Sequence, residues 1–231
     1  MSTKTWFPLE SNPELMNSYA GKLGIGADSA YEYVDVFGLD DELLELVPRP
    51  VVGVMLLFPL TKENQELQSK EDAESEKQKD TFPKDLFFMK QTIGNACGTV
   101  AIVHSLANNA ALLNIDKDSF LKDFLDASQG KTPDQIAQAL EKDNRVEEAH
   151  ASSALSTQNS SAVVEDTNLH FVCFVEKEGK VFELDGRRNY PCYRGESSGD
   201  LLKDVVKVVR NYMQLNPEQL YFNLVALAKK P

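Results

Sequence analysis

The chain has 231 residues, 42% of them apolar and 26% charged, enough to bury a core without help from disulfides or metal. Thirty-six acidic residues against 24 lysines and arginines leave a net charge of −12, which argues against broad binding to nucleic acid or anionic membranes and favours a basic partner. Cys97, Cys173 and Cys192 are too few and too far apart for a disulfide framework, and with three histidines and no CxxC pair they predict no metal site.

In chain order, the opening MSTKTWFPLE lacks the charged and apolar regions of a signal peptide. Leu15 to Leu23 reads as a short helix stopped by Gly24 and Gly26. Tyr31 to Phe37 alternates as a strand, with Glu32 on one face and Asp35 on the other. Asp40 to Val47 is a short acidic helix ended by Pro48 and Pro50. Val51 to Phe58 is uninterruptedly apolar and reads as a central strand buried on both faces; the run as far as Leu60 is too short to cross a bilayer. Lys62 to Asp80, with seven acids and four lysines, reads as a solvated helix or a mobile segment.

A short apolar strand over Leu86–Met89 leads into a helix over Asn95–Leu113. Helices over Ser119–Ala127 and Pro133–Lys142 follow, the second with Thr132 as N-cap and Pro133 in its first turn. Ala149 to Asn168 then breaks the pattern, with five serines, no glycine and no clear period; so long an irregular stretch is expected to be functional or disordered. Strands over Leu169–Glu176 and Lys180–Leu184, a helix over Leu201–Met213 and a last strand over Tyr221–Ala228 complete the chain. With no internal repeat and no long linker, residues 1–231 read as one α/β domain in a reducing, cytoplasmic setting.

The strongest local signal is Gln91-Thr-Ile-Gly-Asn95-Ala-Cys97-Gly-Thr at the start of a helix. Asn95 suits the N-cap, which puts Cys97 in the first turn, where unpaired N–H groups and the helix dipole favour a thiolate. The plainer alternative is a small buried cysteine. A nucleophilic cysteine needs a base. His104, seven residues on in the same helix, lies about 10.5 Å up the axis and shares a stripe with Val100, Val103, Ala107 and Ala111, so it reads as a core residue. His150 opens the irregular segment and has no rigid frame. His170 sits on a strand. If Glu178-Gly179 is a two-residue hairpin turn, His170 faces Arg187 and Asp185 faces Val172, so His170 and Asp185 share a face one diagonal apart. An acid there can fix the imidazole tautomer and stabilise its cation. A three-residue turn would put Asp185 on the wrong face, opposite Cys173; the plainer alternative is that Asp185-Gly186 is simply a turn at a strand end. The Cys97 N–H and the neutral Gln91 amide could together serve a developing oxyanion. The order Gln, Cys, His, Asp is that of a papain-like thiol hydrolase.

Phe88-Met-Lys-Gln91-Thr-Ile-Gly-Asn95-Ala-Cys97-Gly-Thr, Asn168-Leu-His170-Phe and Glu183-Leu-Asp185-Gly-Arg187 resemble the signature blocks of the ubiquitin carboxyl-terminal hydrolases. So do Trp6-Phe-Pro8-Leu9-Glu10-Ser-Asn12-Pro13-Glu14 and Val47-Pro48-Arg49-Pro50. The likeness covers nearly the whole chain and is nearest to the small cytosolic members. It implies an α/β/α sandwich with a papain-like core, a mostly antiparallel central sheet and a knotted backbone. It implies a thiol protease, with no cofactor, that cleaves after the C-terminal glycine of ubiquitin through a thioester. Cys97 would be the nucleophile, His170 the base, Asp185 the orienting acid and Gln91 the oxyanion donor. Residues 149–168 would be the crossover loop over the active site, limiting substrates to small or unfolded adducts. Glu10, Glu14 and Asp35 would meet the arginines of the ubiquitin tail. Pro8 and Leu9 would offer apolar surface beside them, and Leu169 would also touch the tail. Ubiquitin is the expected partner, with ubiquitin-like modifiers as further candidates; nucleic acid and membrane are not expected, and the chain is expected to be a monomer. A module that binds ubiquitin without turning it over, and a general papain-like protease, are the competing readings.

Overall fold

The computed structural model describes residues 4–155 and 168–231. In chain order its elements are α1 (Pro13–Leu23), β1 (Tyr31–Asp35), α2 (Asp41–Leu44), β2 (Val51–Pro59), α3 (Lys62–Gln78), α4 (Cys97–Asn108), α5 (Phe120–Ser128), α6 (Pro133–Lys142) and α7 (Asn144–Ala154). Then come β3 (Leu169–Lys177), β4 (Lys180–Leu184), β5 (Cys192–Glu196), α8 (Leu201–Leu215) and β6 (Asn223–Lys229). The six strands form one sheet in the order β1-β6-β2-β3-β4-β5, with every neighbouring pair antiparallel.

Side chains that alternate along the strands build a core on each face of the sheet. Met55, Cys173, Val175, Phe182, Leu184, Val225 and Leu227 join residues of α1, α4, α5, α6 and α7 on one face. Val54, Leu56, Phe58, Val172, Phe174, Val181, Leu224 and Ala226 join residues of α2 and α8 on the other. The result is the expected α/β/α layering, and β2 is the buried central strand its apolar run predicts.

Local chemistry sets the boundaries. Asn12 caps α1 by accepting from the N–H groups of Glu14 and Leu15, and left-handed Gly24 ends it. Thr132 and Gln135 form a reciprocal capping box at α6. Glu178 and Gly179 both adopt positive φ, 52° and 75°, as a two-residue turn of the primed kind requires. Lys177 therefore pairs with Lys180 and Cys173 with Leu184, the register on which the alignment of His170 with Asp185 depends.

Four expectations are corrected, and one strand is added. Leu86–Met89 is not a strand: the backbone of Phe87 bonds to the Asn108 side chain and that of Met89 to His104, so side chains take the place of a ladder. Asn95 is not the N-cap of α4. It takes a left-handed conformation (φ 59°), and Ala96 occupies the cap. The expected 149–168 irregularity begins inside α7. Val146, Ala149, His150, Ser153 and Ala154 form its buried stripe at helical spacing, built from residues too small or too polar to stand out as a hydrophobic pattern. The remainder of that segment, 156–167, lies outside the described residues. The charged 62–78 stretch is a helix tied into the protein by buried ion pairs rather than merely solvated. β5 was not anticipated: CYRGE is a short edge strand, with a register shift where β4 pairs to it and positive φ at Gly195.

Candidate active site

The segment ahead of α4 is held from both sides. On one side the N-terminal segment runs beside it: Thr5 forms an isolated bridge with Gly94, Trp6 N–H donates to Gly94 O at 2.9 Å, and Gly94 N–H donates to Lys4 O at 3.0 Å. On the other side Gln91 N–H donates to Gly186 O at 2.8 Å. Gly186 has to be glycine for this approach, because a Cβ there would meet Val100 Cγ1 at 2.8 Å and the Gln91 backbone nitrogen at 3.0 Å. The residue next to Asp185 is thus used to seat Gln91.

Cys97 is the first residue of α4, where a backbone N–H has no partner within the helix. It is partly exposed. His170 is the second residue of β3, and Asp185 follows β4 directly. Both are buried, at 3% and 1% exposure. His170 Nε2 and Asp185 Oδ1 are 2.7 Å apart, while the Cys97 thiol interacts with the same imidazole. With Nε2 committed to the carboxylate, Nδ1 is the nitrogen left for sulfur. Phe58 packs edge-on against the ring with centroids 6.2 Å apart.

The charges are mutually dependent. Burial works against ionisation of Cys97, yet the hydrogen bond and positive charge of His170 prevail and hold the thiol below its ordinary value. Burial likewise favours a neutral His170, but the charge and hydrogen bond of Asp185, with Cys97 adding to them, raise the imidazole well above its ordinary range. Asp185 is desolvated too; His170, the Arg187 N–H and the Arg188 guanidinium more than offset this and keep its carboxyl low. The arrangement can hold a thiolate beside an imidazolium, which is the activated form of a cysteine nucleophile.

Cys97 and His170 open onto a recess of about 340 Å3, lined also by Gln91, Asn95, Leu169 and Arg187. A larger groove, of about 720 Å3 between Lys79, Phe88, Leu125 and Tyr190, contains none of the reactive groups. In the recess Gln91 Nε2 donates to Ile93 O at 3.1 Å, and its buried Oε1 finds no partner among the described residues.

The sequence-predicted residues divide into groups. Cys97, His170, Asp185 and Gln91 are brought together, and Leu169 lies at the same recess. Glu14 is exposed, while Glu10 and Asp35 are half-buried. Asn17 ties α1 to β1 by bonding both the N–H and the C=O of Tyr33, so Glu14, almost a turn earlier, lies toward the Asp35 end of β1. Burial raises the Asp35 carboxyl. Pro8 and Leu9 do not offer the expected apolar surface. Both are buried, Leu9 against the start of α4, where a Cβ on Gly98 would meet it at 3.2 Å; half-exposed Phe7 is the outward residue of that segment.

His104 is the core residue expected, fully buried and bonded to Met89. His150 has the rigid frame its sequence context hid: Nδ1 meets Thr99 Oγ1 at 2.9 Å, Nε2 meets Phe7 O at 2.8 Å, and Trp6 packs on its face with centroids 4.3 Å apart. Sequence reasoning also missed Gln68 and Arg188, which contact Asp185 or the turn it begins. The only signal was the pair Arg187-Arg188 after Asp185-Gly186, next to a distant acidic run.

A family model described as ubiquitin carboxyl-terminal hydrolase, family 1, matches residues 6–214. Ubiquitin carboxyl-terminal hydrolase 3 of Arabidopsis thaliana is 41% identical over 230 residues, covering 99% of this chain and 96% of that protein. Ubiquitin carboxyl-terminal hydrolase isozyme L1 of Homo sapiens is 38% identical over 223 residues, covering 96% and 97%. The crystal structure of the Trichinella spiralis UCH37 catalytic domain bound to ubiquitin vinyl methyl ester shares the fold, with a TM-score of 0.76 at 22% identity over 99% of this chain and 98% of that one.

Proposed function

The chain belongs to the ubiquitin carboxyl-terminal hydrolases of family 1, and from that premise we propose that it cleaves small adducts and short peptides from the C-terminal glycine of ubiquitin through a thioester on Cys97. The observation that carries this reading is the His170 imidazole set between a partly exposed thiol and a buried carboxylate at the mouth of a recess.

Cys97 attacks the terminal glycine carbonyl as the thiolate. The developing oxyanion takes hydrogen bonds from the Cys97 N–H and from the Gln91 amide hydrogen not given to Ile93. His170, held by Asp185, protonates the leaving amine, then withdraws a proton from the water that hydrolyses the thioester. Glu10, Glu14 and Asp35 receive the basic tail of ubiquitin, and Leu169 contacts it beside His170. Pro8 and Leu9 back this strip from within the core. The preference for small leaving groups is supported by where the chain enters β3. Asn168 C=O accepts from Leu60 N–H at 2.7 Å, and both Leu60 and Leu169 line the recess, so the chain enters β3 at the rim of the site.

Ubiquitin carrying a C-terminal vinyl methyl ester is expected to form one covalent adduct with the wild type, mapped to Cys97, and none with Cys97→Ser. An unmodified Cys97 in folded protein, or an adduct on another residue, would refute the reading.

A further inference from the structure

Asp185 has two carboxylate oxygens, and the reaction outlined above uses one. Oδ1 accepts from His170 and, at 2.9 Å, from the Arg187 N–H. Oδ2 accepts from Gln68 Nε2 at 3.5 Å, across 117 residues of sequence. Gln68 lies on α3, whose only buried residues are Asn64 and Ser75. Such a helix has little apolar surface with which to hold itself against the protein.

Two arginines supply what the apolar face lacks. Arg188 is 3% exposed; its Nε meets Asp72 Oδ1 at 2.6 Å and its Nη1 meets Glu71 Oε2 at 3.0 Å. Its Nη2 reaches the backbone carbonyl of Gln68 itself at 3.4 Å. Arg194, on β5, pairs with Glu71 and with fully buried Glu183, which Tyr212 also serves. The backbone closes the loop, since Arg188 N–H donates to Asp185 O at 3.0 Å. One circuit therefore runs from Asp185 through its own turn to Arg188, across ion pairs to the 68–72 turn of α3, and back through the Gln68 amide to Asp185.

We propose that Gln68 and Arg188 are positioning residues for the reaction: the Arg188 clamp sets the 68–72 turn of α3 at a height from which Gln68 fixes the second oxygen, and so the plane, of the Asp185 carboxylate. This rests on the hydrolase reading for its effect on turnover but not for its effect on the thiol. A carboxylate free to rotate holds the imidazole less well, and the thiolate–imidazolium pair weakens. Because each buried ion has a partner, removing one leaves its partners uncompensated, so stability has to be followed alongside activity.

The experiment compares Gln68→Leu, Arg188→Met and Arg188→Lys with wild type in the full chain. One readout is the pH profile of Cys97 alkylation by iodoacetamide, which needs no ubiquitin. The other is kcat and KM on ubiquitin bearing a C-terminal fluorogenic amide. Gln68→Leu and Arg188→Met are expected to move the alkylation midpoint to higher pH. They are also expected to lower kcat by roughly fivefold to tenfold with KM within about twofold, the loss that follows from one hydrogen bond. Arg188→Lys recovers part of both. An unmoved midpoint with unchanged kcat in Gln68→Leu overturns the proposal. So does a fall in kcat for Arg188→Met that tracks melting and disappears on cooling while the midpoint stays fixed, the behaviour of a purely structural clamp. If wild-type protein alkylates at Cys97 but turns over no ubiquitin amide, the hydrolase reading fails, and the midpoint shift alone decides the role of Gln68 and Arg188.

Discussion

At the scale of single residues, the site is a matter of who pays for buried charge. Cys97, His170 and Asp185 are each opposed by desolvation, and each is carried past it by the next. Removing the last charge should therefore be felt at the first. Asp185→Asn is expected to cut kcat by at least ~100-fold, because the amide can present the wrong group to Nε2 and cannot stabilise the cation. In the same variant the pH midpoint of Cys97 alkylation should rise toward that of an ordinary thiol; a midpoint equal to wild type would mean that Asp185 does not support the pair. Most of this was legible in the sequence, because the hairpin turn fixes parity and parity fixes the face. Gln68 was not legible. Its contact depends on the lateral placement of a helix with no apolar stripe, and nothing in local pattern encodes that.

At the scale of elements, the sequence is clearest where chemistry is local. Thr132-Pro133 announces α6, and the capping box is present. Thr132→Ala is expected to cost about 1 kcal/mol, read as a lower denaturant midpoint with an unchanged slope. Cys97 alkylation should be indifferent to it, since α6 contributes nothing to the recess. Where partners are distant the sequence misleads. Leu86–Met89 has the composition of a strand but receives its hydrogen bonds from side chains of α4. His150 looked unsupported because its supports, Thr99, Phe7 and Trp6, are far away in the chain. α3 looked merely solvated because a run of charges carries no mark of which members are buried against arginines.

At the scale of the whole molecule, the two buried histidines outside the site set the acid limit of the fold. Burial drives both His104 and His150 down to about 4, the Met89 and Phe7 carbonyls only partly opposing it. Unfolded, each binds a proton near pH 6.5; folded, near 4, so between these values the unfolded chain holds more protons and stability falls as pH falls. His170 has the opposite sign: raised above 6.5, its contribution is intact in acid and is lost only as pH rises through its folded value. The lowered Cys97 works against that loss, its own contribution growing as pH rises toward the ordinary thiol range. The protein is thus expected to lose on the order of several kcal/mol between about pH 6.5 and 4, seen as proton uptake on urea unfolding. His150→Asn should flatten part of the slope; a stability flat from pH 7 to 5 in the wild type would contradict the assignment.

The strand order has a consequence for how the molecule is made. β6, the final strand, lies between β1 and β2, and its buried run from Leu224 to Ala228 joins them. On the ribosome those two early strands must wait, unjoined, until residues 223–229 have been made. A nascent chain halted shortly before residue 223 would therefore expose two open strand edges at once, making a stall there an event that hands this protein to chaperones or to aggregation.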